Sequence, residues 1–232
     1  NVKMIEPTDK IGNITLYNAD CMEVMKQFKD NEFDLAIVDP PFGINIAKKS
    51  KFGKAYYQKY KIKDWDSSTP DINYFNELLR ISKNQIIWGG NYFTDKLPVS
   101  RGWIFWDKGV PSNFNYTFSQ GDLAWTSFNY PIKKVKTNKK YNFNCVSNNA
   151  RIALANQKIH PTQKPVQLYE WLLLNYAKEG ERILDTHFGS LSIGIACEKL
   201  GFELTAIELD KDYYRMAKQR LLDFKKQLTI EF

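Results

Sequence analysis

The chain has 232 residues, of which 43% are hydrophobic and 15% aromatic, so we expect one folded domain over residues 1–232. Its formal charge of +7 favours a polyanionic partner such as nucleic acid, although many basic proteins bind none. Three scattered cysteines, two histidines and the lack of a long apolar run argue against a disulfide framework, a metal site and a membrane span, so we expect a cytoplasmic protein.

Short apolar runs alternate with helix-like stretches, which predicts an α/β fold with a mostly parallel sheet. The predicted strands are Ile14–Tyr17, Asp34–Val38, Gln85–Trp88, Trp103–Trp106, Leu123–Ser127, Ile183–Leu184 and Leu204–Glu208. The predicted helices are Met22–Phe28, Ile72–Ile81, Pro165–Tyr176, Ser192–Leu200 and Lys211–Lys226. Two lysine-rich segments, Lys48–Lys63 and Pro131–Asn149, interrupt the alternation. We expect them to be long loops, either functional or simply solvated.

An acid and two prolines directly follow the second predicted strand, as Asp39-Pro40-Pro41-Phe42. Ligands of open α/β sheets bind beyond the carboxyl ends of the strands. One reaction that such a site would suit is N-methylation of a base. The exocyclic amine of a base is a poor nucleophile because its lone pair is delocalised into the ring. Asp39 and the Pro40 carbonyl could accept its two hydrogens, and Phe42 could stack on an extruded base. The alternative is an ordinary Asp-Pro turn that ends a strand.

The segment from Asp185 to Glu208 has the pattern strand, turn, helix, strand. Glu208 stands 23 residues after Asp185, about where an acid holds the ribose of a nucleotide-type cofactor. Gly189 would permit close backbone approach. The G-x-G-x-x-G pattern of dinucleotide sites is absent, which gives little support to NAD or FAD. An ordinary βαβ unit is the alternative.

Together these motifs resemble those of the amino-methyltransferases that act on DNA. The family's (D/N/S)-P-P-(Y/F) tetrapeptide matches Asp39-Pro40-Pro41-Phe42, and its D-P-F-x-G-S-G loop matches Asp185–Leu191. The segment His160–Pro165 is similar to its H-P-T-Q-K-P element, and Tyr17–Cys21 to its short acid motif. The tetrapeptide precedes the cofactor loop, which is the circularly permuted order of the β class. The matches extend from Ile14 to about Arg220.

The resemblance implies a Rossmann-like, doubly wound fold with S-adenosyl-L-methionine as the cofactor and double-stranded DNA as the partner. The initial Asp of the tetrapeptide implies adenine N6, since cytosine N4 enzymes more often begin with Ser. The implied catalytic residues are Asp39, Pro40, Pro41 and Phe42. The implied cofactor-binding residues are Asp20, Cys21, Lys164, Asp185, Thr186, His187, Gly189, Ser190 and Glu208. Related enzymes often form homodimers, and a cognate restriction endonuclease is a further expected partner.

Three positions depart from the family's cofactor loop: Thr186 and His187 replace Pro and Phe, and Leu191 replaces the last Gly. Leu191 could weaken cofactor binding. His187 could instead be a packing histidine, Lys164 a solvated lysine, and Asp20 a helix N-cap.

Residues 131–158 lie between the catalytic and cofactor motifs, so we expect them to form an inserted target-recognition segment. We expect the lysine-rich loop at 48–63 to close over the base. The predicted phosphate-binding residues are Lys133, Lys134, Lys136, Lys139, Lys140 and Arg151.

Three alternatives remain open from the sequence. The first is methylation of cytosine N4 or of RNA adenine. The second is a nucleic-acid-binding protein that has lost catalysis because of Leu191. The third is a small-molecule α/β enzyme with a basic surface.

Overall fold

The computed structural model describes residues 4–46, 63–108, 119–136 and 158–230. Within these ranges the chain forms a nine-stranded sheet in the order β1-β2-β9-β8-β3-β4-β6-β5-β7. The strands are β1 (Asp9–Ile11), β2 (Ile14–Tyr17), β3 (Phe33–Val38), β4 (Ser82–Trp88), β5 (Trp103–Asp107), β6 (Gly121–Thr126), β7 (Lys133–Lys136), β8 (Arg182–Asp185) and β9 (Glu203–Ile207). The assignment of residues 1–232 to one domain stays a prediction.

The centre of the sheet is parallel, as predicted. Strands β2, β9, β8, β3 and β4 pair in parallel along this order. Antiparallel pairing occurs at β1 with β2 and on both sides of β6, while β7 runs parallel to β5. Because neighbouring parallel strands end at the same edge, the carboxyl ends of β9, β8 and β3 lie side by side.

All five predicted helices are present: α1 (Cys21–Met25), α2 (Ile72–Ile81), α3 (Val166–Tyr176), α4 (Ser192–Leu200) and α5 (Lys211–Ile230). Helix α1 ends at Met25 rather than at the predicted Phe28. Its N-cap is Asp20, whose carboxylate accepts the backbone N–H of Met22 at 2.8 Å, and Asp71 caps α2 in the same way. No helix of the described ranges is both long and apolar enough to cross a membrane.

The helices cover both faces of the sheet. Leu35 and Ile37 of β3 belong to a buried cluster that includes apolar side chains of α3, α4 and α5. Ala36 and Val38 of the same strand belong to a second cluster with side chains of α1 and α2. A strand buried on both faces has a continuous apolar run, which explains the sequence LAIV before Asp39. The doubly wound arrangement is therefore confirmed.

Two strands were not predicted. The loop predicted at Pro131–Asn149 is wrong at its start, where β7 pairs with β5. Val135 of β7 is buried, whereas the lysines before it are exposed, so only one apolar residue signals this edge strand. The short strand β1 is added antiparallel to β2. Residues 137–157, which make up most of the predicted recognition segment, and residues 47–62 lie outside the described residues.

Candidate active site

Asp39 follows the last residue of β3 and pairs with Lys164. Oδ2 of Asp39 lies 2.5 Å from Nζ of Lys164, which is only 4% exposed. Oδ1 of Asp39 is also buried and accepts no hydrogen bond from the described residues. Burial raises the pKa of Asp39, and the charge of Lys164 opposes that rise. Asp39 therefore offers one engaged oxygen and one open acceptor oxygen.

The ring of Phe42 is held from two sides. It stacks on Tyr92 with centroids 5.1 Å apart and an angle of 13° between the planes. Its edge lies against Gly89, where an added Cβ would come within 2.2 Å of the ring. Gly89 also has a φ of 73°, so a side chain there would be strained as well as crowded. Gly89 and Tyr92, which follow β4, thus fix the position of the last residue of the Asp-Pro-Pro-Phe motif.

The loop after β8 carries a hydrogen-bonded chain of side chains. The hydroxyl of Tyr74 lies 2.6 Å from Oγ1 of Thr186, which lies 3.0 Å from Nδ1 of His187. Burial raises the pKa of Tyr74 well above its usual value and lowers the pKa of His187 to about 4. The phenol is therefore protonated and the imidazole is neutral at pH 7. Nε2 of His187 lies 3.9 Å from Sγ of Cys21, and the tautomer of the ring sets which of its nitrogens donates.

Asp185 lies beneath this loop. It is 1% exposed, and its Oδ1 accepts the backbone N–H of His187 at 3.0 Å. Burial raises the pKa of Asp185 to about 8 against the effect of that hydrogen bond, and Asp39 and Glu208 add like-charge repulsion. Free Asp185 is therefore partly protonated near neutral pH.

Glu208 follows β9 and ties the cofactor loop to the start of α5. Its Oε2 accepts the backbone N–H of Gly189 at 2.9 Å, and its Oε1 accepts that of Asp210 at 2.9 Å. Burial raises the pKa of Glu208 to about 7 despite these two bonds. Each carboxylate oxygen has a second lone pair, so Glu208 can still accept hydrogen bonds from a ligand.

Leu191 adopts a left-handed backbone conformation, which glycine adopts far more readily than leucine. Its φ is 54°, and its side chain is fully buried. A Cβ built on Gly194 would lie 2.7 Å from Cγ of Leu191, so the glycine of α4 makes the room that this leucine occupies. The carbonyl of Ser190 accepts a hydrogen bond from Arg220 at 2.7 Å. The substituted loop is therefore closely packed and directs the Leu191 side chain into the core.

We expect Gly194→Ala to destabilise the protein because overpacking costs about 1–3 kcal/mol, which outweighs the better helix propensity of Ala. In a Leu191→Gly background the clash is gone, so the same substitution should stabilise by about 1 kcal/mol. Thermal unfolding of the four proteins measures both effects. An effect of the same sign in both backgrounds would contradict this packing.

Many of the residues described above line a cavity of about 640 Å³, a size ordinary for a cofactor site. Ten of the predicted site residues line it: Asp20, Cys21, Asp39, Pro41, Lys164, Thr186, His187, Gly189, Ser190 and Glu208. Pro40, Phe42 and Asp185 lie outside its lining. Several other lining residues carry no recognisable motif and were not predicted, namely Trp65, Tyr74, Tyr169, Asp210 and Tyr213.

The predicted DNA-binding lysines are only partly described. Lys133 and Lys134 are exposed on β7, and Lys134 pairs with Asp107 at 3.0 Å. Lys133 is in register with Ile104, which is level with Trp88 at the carboxyl end of β4. Lys136 ends the strand. Lys139, Lys140 and Arg151 lie outside the described ranges.

Comparison with known proteins places these motifs in context. A family model described as DNA methylase matches residues 76–219. The chain is 26% identical to the type II methyltransferase M2.MboI of Moraxella bovis, with 98% of this chain and 93% of that one covered. It is 26% identical to the type II methyltransferase M2.DpnII of Streptococcus pneumoniae, covering 95% and 94%.

The fold is similar to that of solved structures. The M1.HpyAVI–SAM complex superposes with a TM-score of 0.55 at 20% identity, covering 89% of this chain and 99% of that one. The cytosine-N4-specific PvuII DNA methyltransferase superposes with a TM-score of 0.59 at 13% identity, covering 98% and 96%. At these identities the likeness concerns the fold.

Proposed function

The chain belongs to the DNA methylase family, and on that premise we propose that it transfers a methyl group from S-adenosylmethionine to the N6 amine of adenine in duplex DNA. The observation that carries the proposal is the open oxygen of Asp39. A buried acceptor without a partner among the described residues is costly unless a ligand supplies a donor. An exocyclic amine is such a donor.

The residues at the end of β3 fit the needs of this reaction. Oδ1 of Asp39 and the carbonyl of Pro40 each accept one N–H of the amine, which leaves the nitrogen lone pair free to attack. S-adenosylmethionine, when bound, supplies an electrophilic methyl group on a positively charged sulfur. As the new N–C bond forms, the methyl–sulfur bond breaks and its electron pair stays on the sulfur, which leaves as a neutral thioether. The positive charge thereby moves to the nitrogen, where the carboxylate of Asp39 stabilises it. The nitrogen then loses one proton to water and is neutral again.

Lys164 has a positioning part in this scheme. Its ammonium holds Oδ2 of Asp39, so the other oxygen faces the amine. It also favours the ionised form of Asp39, which burial alone would disfavour. Lys164 lines the cavity as well, so the same side chain adjoins the cofactor region.

The cavity fits S-adenosylmethionine in size and charge. It is lined by Glu208, whose carboxylate oxygens can accept the ribose hydroxyls, and by Asp20 at the start of α1. Asp185 lies just below the loop, where its carboxylate favours a cationic ligand. The raised pKa values of Asp185 and Glu208 mean that a cation would be bound with loss of protons. His187 adds a neutral imidazole to the cavity wall.

The resemblance of the Asp-first tetrapeptide supports adenine N6 over cytosine N4. A base must leave the duplex to reach Asp39, and the stacked Phe42 and Tyr92 offer an aromatic face at that point. Cytosine N4 is the second candidate, because its exocyclic amine also has an N–H that Asp39 can accept. A homodimer and a cognate endonuclease stay predictions.

The described ends of the recognition segment support DNA binding at the carboxyl ends of the strands, where Asp39 lies. Strand β7 runs parallel to β5 and ends at Lys136, beyond the level of Trp88, and residue 158 leads into the cavity-lining His160. The predicted segment 131–158 therefore leaves and re-enters on the side of the sheet that carries Asp39. The exposed Lys133 lies on that side.

We expect Lys133→Ala to weaken DNA binding and to reduce the slope of log K against log salt by about 0.9 if the lysine meets one phosphate. Titration of duplex DNA at several salt concentrations measures the slope. Lys178→Ala is the matched control, because Lys178 is exposed before β8, at the opposite edge of the sheet. An unchanged slope for Lys133→Ala would remove β7 from the interface.

Transfer of a labelled methyl group from S-adenosylmethionine to duplex DNA, single-stranded DNA and RNA tests the proposal. Labelling of duplex DNA is expected. Labelling of RNA alone would mean that the substrate is RNA rather than DNA. Binding of nucleic acid without labelling would indicate a protein that has lost catalysis.

A further inference from the structure

The loop that follows the Asp-Pro-Pro-Phe motif wraps around one buried carboxylate. Asp66 is 2% exposed. Its Oδ1 accepts the backbone N–H of Phe42 at 2.7 Å and of Gly43 at 2.9 Å, and its Oδ2 accepts that of Ile46 at 2.8 Å. The carbonyl of Asp66 also accepts the N–H of Asn45 at 2.9 Å. A single residue thus receives four backbone donors of this loop.

The two prolines of the motif explain why the loop needs this acid. Pro40 and Pro41 have no backbone N–H, so Phe42 provides the first backbone donor after Asp39. Gly43 and Asn45 have left-handed φ values of 72° and 54°. The turn that they form directs its backbone N–H groups toward a common centre. A buried N–H without an acceptor is costly, and the carboxylate of Asp66 satisfies three of them.

Asp66 is itself held by its neighbours. The ring of Trp65 lies 5.3 Å from the ring of His160, and both residues line the cavity. Lys63 forms ion pairs with Asp210 and Asp212 at the start of α5. The segment 63–66 is therefore anchored to the cofactor side of the site, and it holds the motif loop in register with that side.

We propose that Asp66 is a positioning residue for methyl transfer, which acts by fixing the backbone at Phe42 and hence the Pro40 carbonyl and the Phe42 ring. The inference rests on the proposed function. Asp66 does not touch the reacting atoms, so its loss affects the geometry of the acceptor site rather than the affinity for the cofactor. A shift of about 1 Å at a reacting centre can lower the rate about a hundredfold.

The test compares Asp66→Asn with Asp34→Asn. Asp34 lies in β3 toward its other end, where its carboxylate accepts the backbone N–H of Arg182 at 2.9 Å and pairs with Lys83 at 2.6 Å. Both substitutions remove a carboxylate charge that accepts backbone N–H groups, from the loop after β3 for Asp66 and from Arg182 at the start of β8 for Asp34. We measure the melting temperature, the Kd for S-adenosylmethionine by calorimetry, and kcat and KM for DNA methylation.

We expect Asp66→Asn to lower kcat about tenfold or more with the cofactor Kd unchanged within about twofold, while Asp34→Asn keeps the kcat of the wild type. Asp66→Glu keeps the charge but displaces the acceptors by one methylene, so it should lie between the wild type and Asp66→Asn. If Asp66→Asn does not fold, a loss of kcat in Asp66→Glu with retained Kd supports the same conclusion.

A wild-type kcat in Asp66→Asn, or in Asp66→Glu where only that variant folds, would overturn the inference. So would a loss of cofactor affinity that parallels the loss of kcat. A wild-type protein that binds the cofactor but methylates no DNA would instead refute the proposed function, so the two failures are distinguishable.

Discussion

Replacement of Asp39 by Asn is expected to reduce kcat for methyl transfer about 10²–10³-fold, with little change in cofactor affinity. Lys164 lies 2.5 Å from Oδ2 and would retain the amide oxygen as its partner. The amide NH2 would then occupy the place of the open Oδ1 and present a donor to the amine of the base. Turnover at saturating cofactor and DNA measures the effect.

Asp9→Asn is the matched control for this substitution. Asp9 pairs with Lys218 at 2.6 Å in β1, at the far edge of the sheet, so its loss removes a similar ion pair away from the cavity. The control should keep the wild-type kcat. A comparable kcat for Asp39→Asn and the wild type would show that Asp39 is not the acceptor.

Replacement of Glu208 by Gln is expected to weaken S-adenosylmethionine binding about 10–100-fold, the usual effect of losing a hydrogen bond to a charged group. In the wild type, one carboxylate oxygen of Glu208 accepts the N–H of Gly189 and the other accepts the N–H of Asp210. Gln has only one oxygen that can accept, so fewer acceptor positions are left for the cofactor. Calorimetry measures the Kd. An unchanged Kd would remove Glu208 from the cofactor site.

The pH dependence of binding provides a second measure of the same residue. The pKa of free Glu208 is raised to about 7 by burial, so the acid becomes protonated as the pH falls through 7 and loses its acceptor charge. Wild-type affinity should therefore rise between pH 6 and pH 8. Asp185, with a pKa raised to about 8, acts in the same direction because its ionised form favours a cationic ligand.

Comparison with Glu208→Gln separates the protein from the ligand. Any titration of the cofactor itself affects both proteins equally, so the difference between their pH profiles reports the ionisation of Glu208, both directly and through its repulsion of Asp185. The variant should show a shallower rise than the wild type. Identical profiles would mean that Glu208 does not change its ionisation on binding.

The parts of the fold set by local sequence pattern were predictable. The buried run before Asp39, the amphipathic α2 and the acid after β9 each have a signal within a few residues. Strand β7 was not predictable, because Lys133–Lys136 has one buried apolar residue and is fixed by pairing with β5. Edge strands of this kind depend on a neighbour distant in sequence.

The site shows the same limit. The motifs led to Asp39, Gly189 and Glu208, since the chemistry of each depends on its place at a strand end or turn. Asp66 and Tyr74 carried no such signal. Asp66 meets Phe42 across 24 residues, and Tyr74 reaches Thr186 across 112 residues from what looks like an ordinary buried helix face. Only the packed structure brings these partners together.

The most direct measurement of the central claim identifies the methylated nucleoside. Mixed-sequence duplex DNA is incubated with the protein and methyl-labelled S-adenosylmethionine, hydrolysed to nucleosides and analysed by mass spectrometry. The account predicts label in N6-methyladenine. Label in N4-methylcytosine alone would contradict the assignment of the base, and absence of label in DNA from a protein that binds the cofactor would contradict the proposed reaction.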